Sequence, residues 1–250
     1  MKNQIIKITF CLTIALTSIL FIGCGEKNNK NTLILGCSAD YPPFEFKMNG
    51  KIVGFAPDLA NLICKKLGYS LEIKDMDFSS LIAALNSGRI DFIMSSMTVT
   101  EERMKRIDFS QVYYEAKLAV IYRKNNIVDT VEKMIDKKIG VQLGTTMELF
   151  IKEKAKQSPS INILSLNRNP ELIQELKIGR IDAIVIEQSQ VEHFAKANTD
   201  LTYSILNDNA AEGYAIAFPQ KSNLKEKFNK ALNEIKESGE LQALLKKWSL

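Results

Sequence analysis

Leu81-Ile-Ala-Ala-Leu-Asn-Ser-Gly-Arg-Ile-Asp-Phe-Ile93 returns later in the chain as Leu172-Ile-Gln-Glu-Leu-Lys-Ile-Gly-Arg-Ile-Asp-Ala-Ile184. The shared frame is L-I-x-x-L-x-x-G-R-I-D-x-I. In each copy the leading leucines and isoleucines recur at helical spacing and stop at a glycine, Gly88 or Gly179, the residue that most easily takes the left-handed backbone that ends a helix. Each then runs into an apolar stretch, Ile90 to Met94 and Ile181 to Ile186, which reads as a buried strand. A helix, a tight turn and an apolar strand make up half of a βαβ crossover. One pair of such units is too few for a solenoid and predicts two similar α/β lobes.

Working outward, apolar strands are predicted over Thr32 to Cys37, Leu71 to Lys74, Lys117 to Arg123, Lys138 to Leu143 and Tyr214 to Phe218. Helices are predicted over Asp58 to Leu67, stopped by Gly68, and over Asn223 to Trp248 with a break at Gly239. The repeat then assigns one lobe to residues 31–115 plus 212–250 and the other to 116–211. The chain crosses between them twice, which implies a hinge and a cleft.

The composition suits this plan. The chain of 250 residues is 46% hydrophobic, 25% charged and 8% aromatic, with 12 Gly and 6 Pro, values of an ordinary globular protein that exclude collagen, coiled coil and wholesale disorder. Residues 1–23 place Lys2 and Lys7 ahead of an uncharged apolar run, the layout of an export signal that is too short to span a bilayer comfortably. The run ends at Gly23-Cys24, which resembles a bacterial lipoprotein box. The mature chain is then expected to begin at a lipid-bearing Cys24, followed by a polar linker to residue 31, with the folded part outside the cytoplasm and anchored to a membrane. Loss of Lys2 and Lys7 takes the net charge from +4 to +2, too little to predict nucleic-acid binding. Cys37 and Cys64 remain, and their default state is two buried thiols.

Ligands of open α/β sheets bind beyond the carboxyl ends of the strands. The segments found there are Ser38-Ala-Asp-Tyr-Pro-Pro-Phe-Glu-Phe46, Ser95-Ser-Met-Thr-Val-Thr-Glu-Glu-Arg103, Gly144-Thr-Thr-Met-Glu148 and Glu187-Gln-Ser189. Thr145 and Thr100 each read as a helix start, where unpaired N–H groups favour a carboxylate. Arg103 offers a guanidinium fork to the same group. Glu187, on the other lobe, suits an ammonium. Tyr41 and Phe78 suit the faces of an aliphatic or guanidinium side chain. A carboxylate receptor on one lobe and an ammonium receptor on the other would together suit an α-amino acid.

At this point the chain resembles a known family, the polar amino-acid-binding proteins of ABC importers, or bacterial extracellular solute-binding proteins of family 3. Matching stretches include Tyr41-Pro-Pro-Phe-Glu-Phe46, Gly54-Phe-Ala-Pro-Asp-Leu-Ala60, Gly88-Arg-Ile-Asp91, Met97-Thr-Val-Thr-Glu-Glu-Arg103, Val141-Gln-Leu-Gly-Thr-Thr146 and Gly213-Tyr-Ala-Ile-Ala-Phe218. The resemblance implies the type II periplasmic-binding-protein fold, two α/β lobes joined by two hinge strands. It implies that Arg103, with Thr98, Thr145 and Thr146, holds the ligand carboxylate. It likewise implies that Ser96 and Glu187 receive the ammonium, that Tyr41 and Phe78 flank the side chain, and that Ser38, Ser95 and Gln142 lie at its distal end. Ser38 stands where several members carry Asp. Gln142 and Glu187 resemble the arginine-binding branch, which puts arginine and glutamine ahead of lysine and histidine. The implied partners are a polar amino acid and the permease of an ABC importer, and the protein is expected to be a monomer without metal or cofactor. A second reading is an enzyme resembling the cyclohexadienyl dehydratases of the same fold, with Glu187 as general acid. The lone His193 reads as a surface residue on a helix.

Overall fold

The structure is a computed structural model and describes residues 31–206 and 212–250. The predicted signal segment, Cys24 and the linker up to residue 30 lie outside them. Two five-stranded sheets dominate. In the first, strands β1 (Thr32–Cys37), β2 (Ser70–Asp75), β3 (Phe92–Ile93), β4 (Ile107–Phe109) and β10 (Ala217–Pro219) lie in the order β2-β1-β3-β10-β4. In the second, β5 (Leu118–Arg123), β6 (Lys138–Gln142), β7 (Asn162–Leu166), β8 (Ala183–Glu187) and β9 (Leu201–Ile205) lie in the order β7-β6-β8-β5-β9. The topology is the same in both: three parallel strands, then an antiparallel one that the chain forms directly after crossing over (β10 or β5), then an edge strand.

Helices cover both faces of each sheet. In chain order they are α1 (Phe55–Lys66), α2 (Leu81–Asn86), α3 (Glu101–Met104), α4 (Thr146–Gln157), α5 (Asn169–Lys177), α6 (Gln188–Ala197), α7 (Leu224–Glu237) and α8 (Glu240–Lys247). Leu33 and Leu35 of β1 face α1 and α7 through Leu59, Ile63, Phe228 and Leu232, while Ile34 points to the opposite core with Leu81, Leu85 and Ile90. In the second sheet Ile139 and Val141 pack with Met147 and Ile151 of α4, and Ile184 and Ile186 with Leu172 and Leu176 of α5. Cores on both faces are why these strands read as apolar runs rather than alternating ones.

The repeat is a repeat in three dimensions. Gly88 and Gly179 have φ of 71° and 80°. The N–H of Gly88 bonds the Leu85 carbonyl (3.0 Å) and that of Arg89 the Ala84 carbonyl (3.0 Å); Gly179 to Leu176 (3.2 Å) and Arg180 to Glu175 (3.0 Å) repeat the pattern. Both are Schellman caps, which satisfy the last carbonyls of α2 and α5. The following Asp ties each unit to its sheet: Asp91 Oδ2 accepts from the Ile34 N–H (2.8 Å), and Asp182 Oδ2 from the Lys138 N–H (2.9 Å).

Two short strands, Tyr114–Ala116 and Glu212–Tyr214, pair antiparallel where the chain passes from one sheet to the other and back. They are the hinge strands. The sequence predicts one strand from Tyr214 to Phe218; the structure divides it, Tyr214 ending the hinge ribbon and Ala217 opening β10. Likewise β3 is only Phe92–Ile93, shorter than the predicted Ile90 to Met94, because the chain turns at Ser95 and Ser96, the latter at φ 47°. Cys37 and Cys64 are buried free thiols; burial pushes the Cys64 thiol up to about 12.

Candidate functional site

The strand ends converge. Ser38 follows β1, Ser95 and Ser96 follow β3, Gln142 ends β6, Thr145 and Thr146 open α4, and Glu187 ends β8. With Tyr41, Phe78, Thr98 and Arg103 they line one cavity, which Met147 completes. The sequence singled out all of these residues except Met147.

Arg103 sits on α3, whose N-cap Thr100 accepts the Arg103 N–H (3.2 Å). Its guanidinium donates to the Thr98 carbonyl (2.7 Å) and, from the opposite sheet's side, to the Gly144 carbonyl (3.2 Å). It lies 5.4 Å from the centroid of the Phe78 ring. The fork is thus held in a fixed pose, against an aromatic face that desolvates it. Thr145 caps α4 by accepting the Glu148 N–H (3.3 Å). Glu148 does not complete a reciprocal box: its Oε2 takes the Gly144 N–H (2.8 Å), one residue earlier. Burial pushes the Glu148 carboxyl up, and Lys152, the Gly144 N–H and Ser165 together bring it below its ordinary value.

Glu187 is 1% exposed and accepts a hydrogen bond from the Tyr214 hydroxyl. Burial, and then the neighbouring Glu187, hold the Tyr214 phenol well above its ordinary value, so tyrosine is the donor and glutamate the acceptor. Tyr214 packs on Tyr114 (centroids 5.6 Å) and edge-on to Phe44 (5.3 Å). The hydroxyl of Tyr41 is buried with no hydrogen-bond partner among the described residues.

Several residues missed by sequence reasoning stand behind this lining. Glu45 is wholly buried, with its oxygens 3.3 Å and 3.4 Å from the hydroxyls of Ser95 and Ser96. Burial holds its carboxyl well above the usual carboxylate range. Asp40 Oδ1 accepts from the Ser38 hydroxyl (2.7 Å), and Oδ2 from the Asn169 N–H (2.8 Å) and the Gln142 amide nitrogen (3.3 Å). Arg168 bridges the two sheets' sides, bonding Asp75 (2.7 Å) and Asp77 (2.9 Å). At Gly144, with φ 81°, a Cβ would lie 3.1 Å from the Ser79 backbone. The two halves are therefore in contact around the cavity.

Residues 33–250 match the family described as bacterial extracellular solute-binding proteins, family 3. The chain belongs to that family. Among relatives of this solute-binding protein, the arginine-binding extracellular protein ArtP of Bacillus subtilis (strain 168) is 43% identical over 252 residues, covering 99% of this chain and 97% of its own. An ancestral arginine-binding protein bound to arginine superposes with a TM-score of 0.83 at 42% identity, over 87% of this chain and 98% of that one. An ancestral arginine-binding protein bound to glutamine gives 0.82 at 42% identity, over 87% of this chain and 97% of that one. The solute-binding fold, with two lobes and a cleft, is thus shared. Among the described residues no helix is long and apolar enough to cross a membrane, and no cluster of three or more His, Cys, Asp or Glu side chains is placed to hold a metal ion.

Proposed function

We propose that the protein captures a polar L-amino acid outside the cytoplasm, arginine first and glutamine next, and delivers it to the permease of an ABC importer. One observation carries this: Arg103, from the first sheet's side, and Glu187, at the end of a strand of the second, line the same cavity. A carboxylate would meet the guanidinium fork and the N-terminus of α4, and an ammonium would meet Glu187 and Ser96. Tyr41 and Phe78 would cover the aliphatic part of the side chain. Ligand touching both halves stabilises the closed state, which is the form offered to the permease. Arginine ranks first because relatives and structural neighbours are named for binding it; those names also favour capture over a dehydratase. In this reading Cys24 carries the lipid that keeps the monomer at the membrane, residues 31–115 with 212–250 form one lobe, and 116–211 form the other.

The test is thermal unfolding against the twenty amino acids. Ligand at 100 times its Kd adds about 2.7 kcal/mol to the folded state, so arginine should raise Tm by several degrees. No shift with any amino acid would overturn the reading. The anchor is checked by fractionation: Cys24→Ser should move the protein from the membrane to the soluble fraction.

A further inference from the structure

The distal lining of the cavity is uncharged, yet what it offers a ligand is set from behind. Ser38 donates its single hydroxyl hydrogen to Asp40 Oδ1 (2.7 Å) and accepts from Arg168 Nη1 (3.4 Å). Gln142 Nε2 donates one hydrogen to Asp40 Oδ2 (3.3 Å) and the other to the Asn167 carbonyl (3.0 Å). Both partners accept, and the Gln142 oxygen takes the Asn169 side-chain amide (3.1 Å), so the amide has one consistent orientation. Burial raises the Asp40 carboxyl above its ordinary value, and the Ser38 hydroxyl, the Asn169 N–H and Arg168 lower it; with one donor on Oδ1 and two on Oδ2 it accepts as a carboxylate. Every hydrogen of the Ser38 hydroxyl and of the Gln142 amide is therefore spent outside the cavity. What they have left to give a ligand is lone pairs.

We propose that Asp40, which does not line the cavity, is a specificity-determining positioning residue: it leaves Ser38 and Gln142 in the distal wall with acceptors only and sets a negative charge behind them. Such a wall selects a side chain that ends in N–H groups alone. It admits a guanidinium, takes an amide less well and refuses an end that presents only acceptors, since facing lone pairs would be left unpaired. The inference rests on the amino-acid-binding reading above. It differs from a purely mechanical role, in which Asp40 only joins the halves through Asn169, because that role does not distinguish one side chain from another.

Asp40→Asn separates the two. Its oxygen can still accept the Asn169 N–H, but its amide hydrogens face Ser38 and turn that hydroxyl's hydrogen toward the cavity. The probes are arginine and citrulline, which differ by one terminal nitrogen replaced with a carbonyl oxygen, measured by isothermal titration calorimetry. Arginine should weaken on the order of 10- to 100-fold, while citrulline holds or tightens, so that the citrulline-to-arginine Kd ratio falls at least about tenfold. An equal loss for both ligands would overturn the proposal and leave Asp40 a clasp. Wild-type protein that binds no amino acid would sink the functional reading itself, before any variant is made. If Asp40→Asn does not fold, Ser38→Ala serves: it removes the relay hydroxyl, and an unchanged ratio overturns the proposal.

Discussion

The two copies of the repeat build the same scaffold and end it differently. Each has a Schellman glycine, an Asp tied to the middle of the three parallel strands (β1 or β6), and a glycine in that strand under the repeat's own side chains. A Cβ on Gly36 would lie 2.3 Å from Ile90 Cδ1 and 3.2 Å from Leu81; on Gly140 it would lie 2.6 Å from Ile181 Cδ1 and 2.9 Å from Leu172. These are equivalent positions of the two frames. The divergence comes at the next strand. In the first copy β3 stops after two residues and the chain turns through Ser95 and Ser96 toward Arg103; in the second β8 runs for five and delivers Glu187 directly. Duplication accounts for the support, and one strand end in each half carries opposite charge chemistry. That asymmetry is what a zwitterion requires of a receptor.

The sharpest way to break this contrast is Arg103→Ala. Losing a buried, hydrogen-bonded charge partner costs about 2–5 kcal/mol of binding, so calorimetry should show arginine affinity falling at least 30-fold while circular dichroism still reports a folded chain. Retained micromolar binding would remove Arg103 from the carboxylate site. Next, Gly36→Ala and Gly140→Ala test the shared support. Each forces methyl groups of a packed core aside and should lower the unfolding free energy by about 1–3 kcal/mol in urea, with Gly140→Ala at least as costly because two side chains must move. A loss in one and none in the other would mean that the halves are alike in topology only. Smallest is the pair Asp91→Ala and Asp182→Ala, which should each cost about 1 kcal/mol, the net worth of a hydrogen bond, by the same measurement.

The frame of the fold was legible because the repeat's glycines and isoleucines sit where helix capping and sheet burial leave few alternatives. The cavity lining was legible because it lies at the ends of strands that read clearly: Thr32–Cys37, Lys138–Gln142 and Ala183–Glu187. Part of what escaped follows from one missed element. Asn162–Leu166, with residues only partly buried along most of its length, carries a weak apolar signal, so its carboxyl end does not stand out in the sequence. Asn167, Arg168 and Asn169 lie there. Asp40 escaped for another reason. The resemblance directs attention to position 38, which holds Ser, whereas the carboxylate lies two residues on and acts through that serine. Pairings across a closed cleft, such as Arg168 with Asp75 and Asp77, depend on how two halves meet, and no local pattern encodes that.

Tyr214 belongs to the ribbon on which the halves turn and also donates to Glu187. No lever arm separates the axle from the acid. In the proposed reading, a twist of the ribbon carries the phenol with it and disturbs the carboxylate's pose, so that the grip on one end of the guest and the angle between the halves become a single mechanical variable.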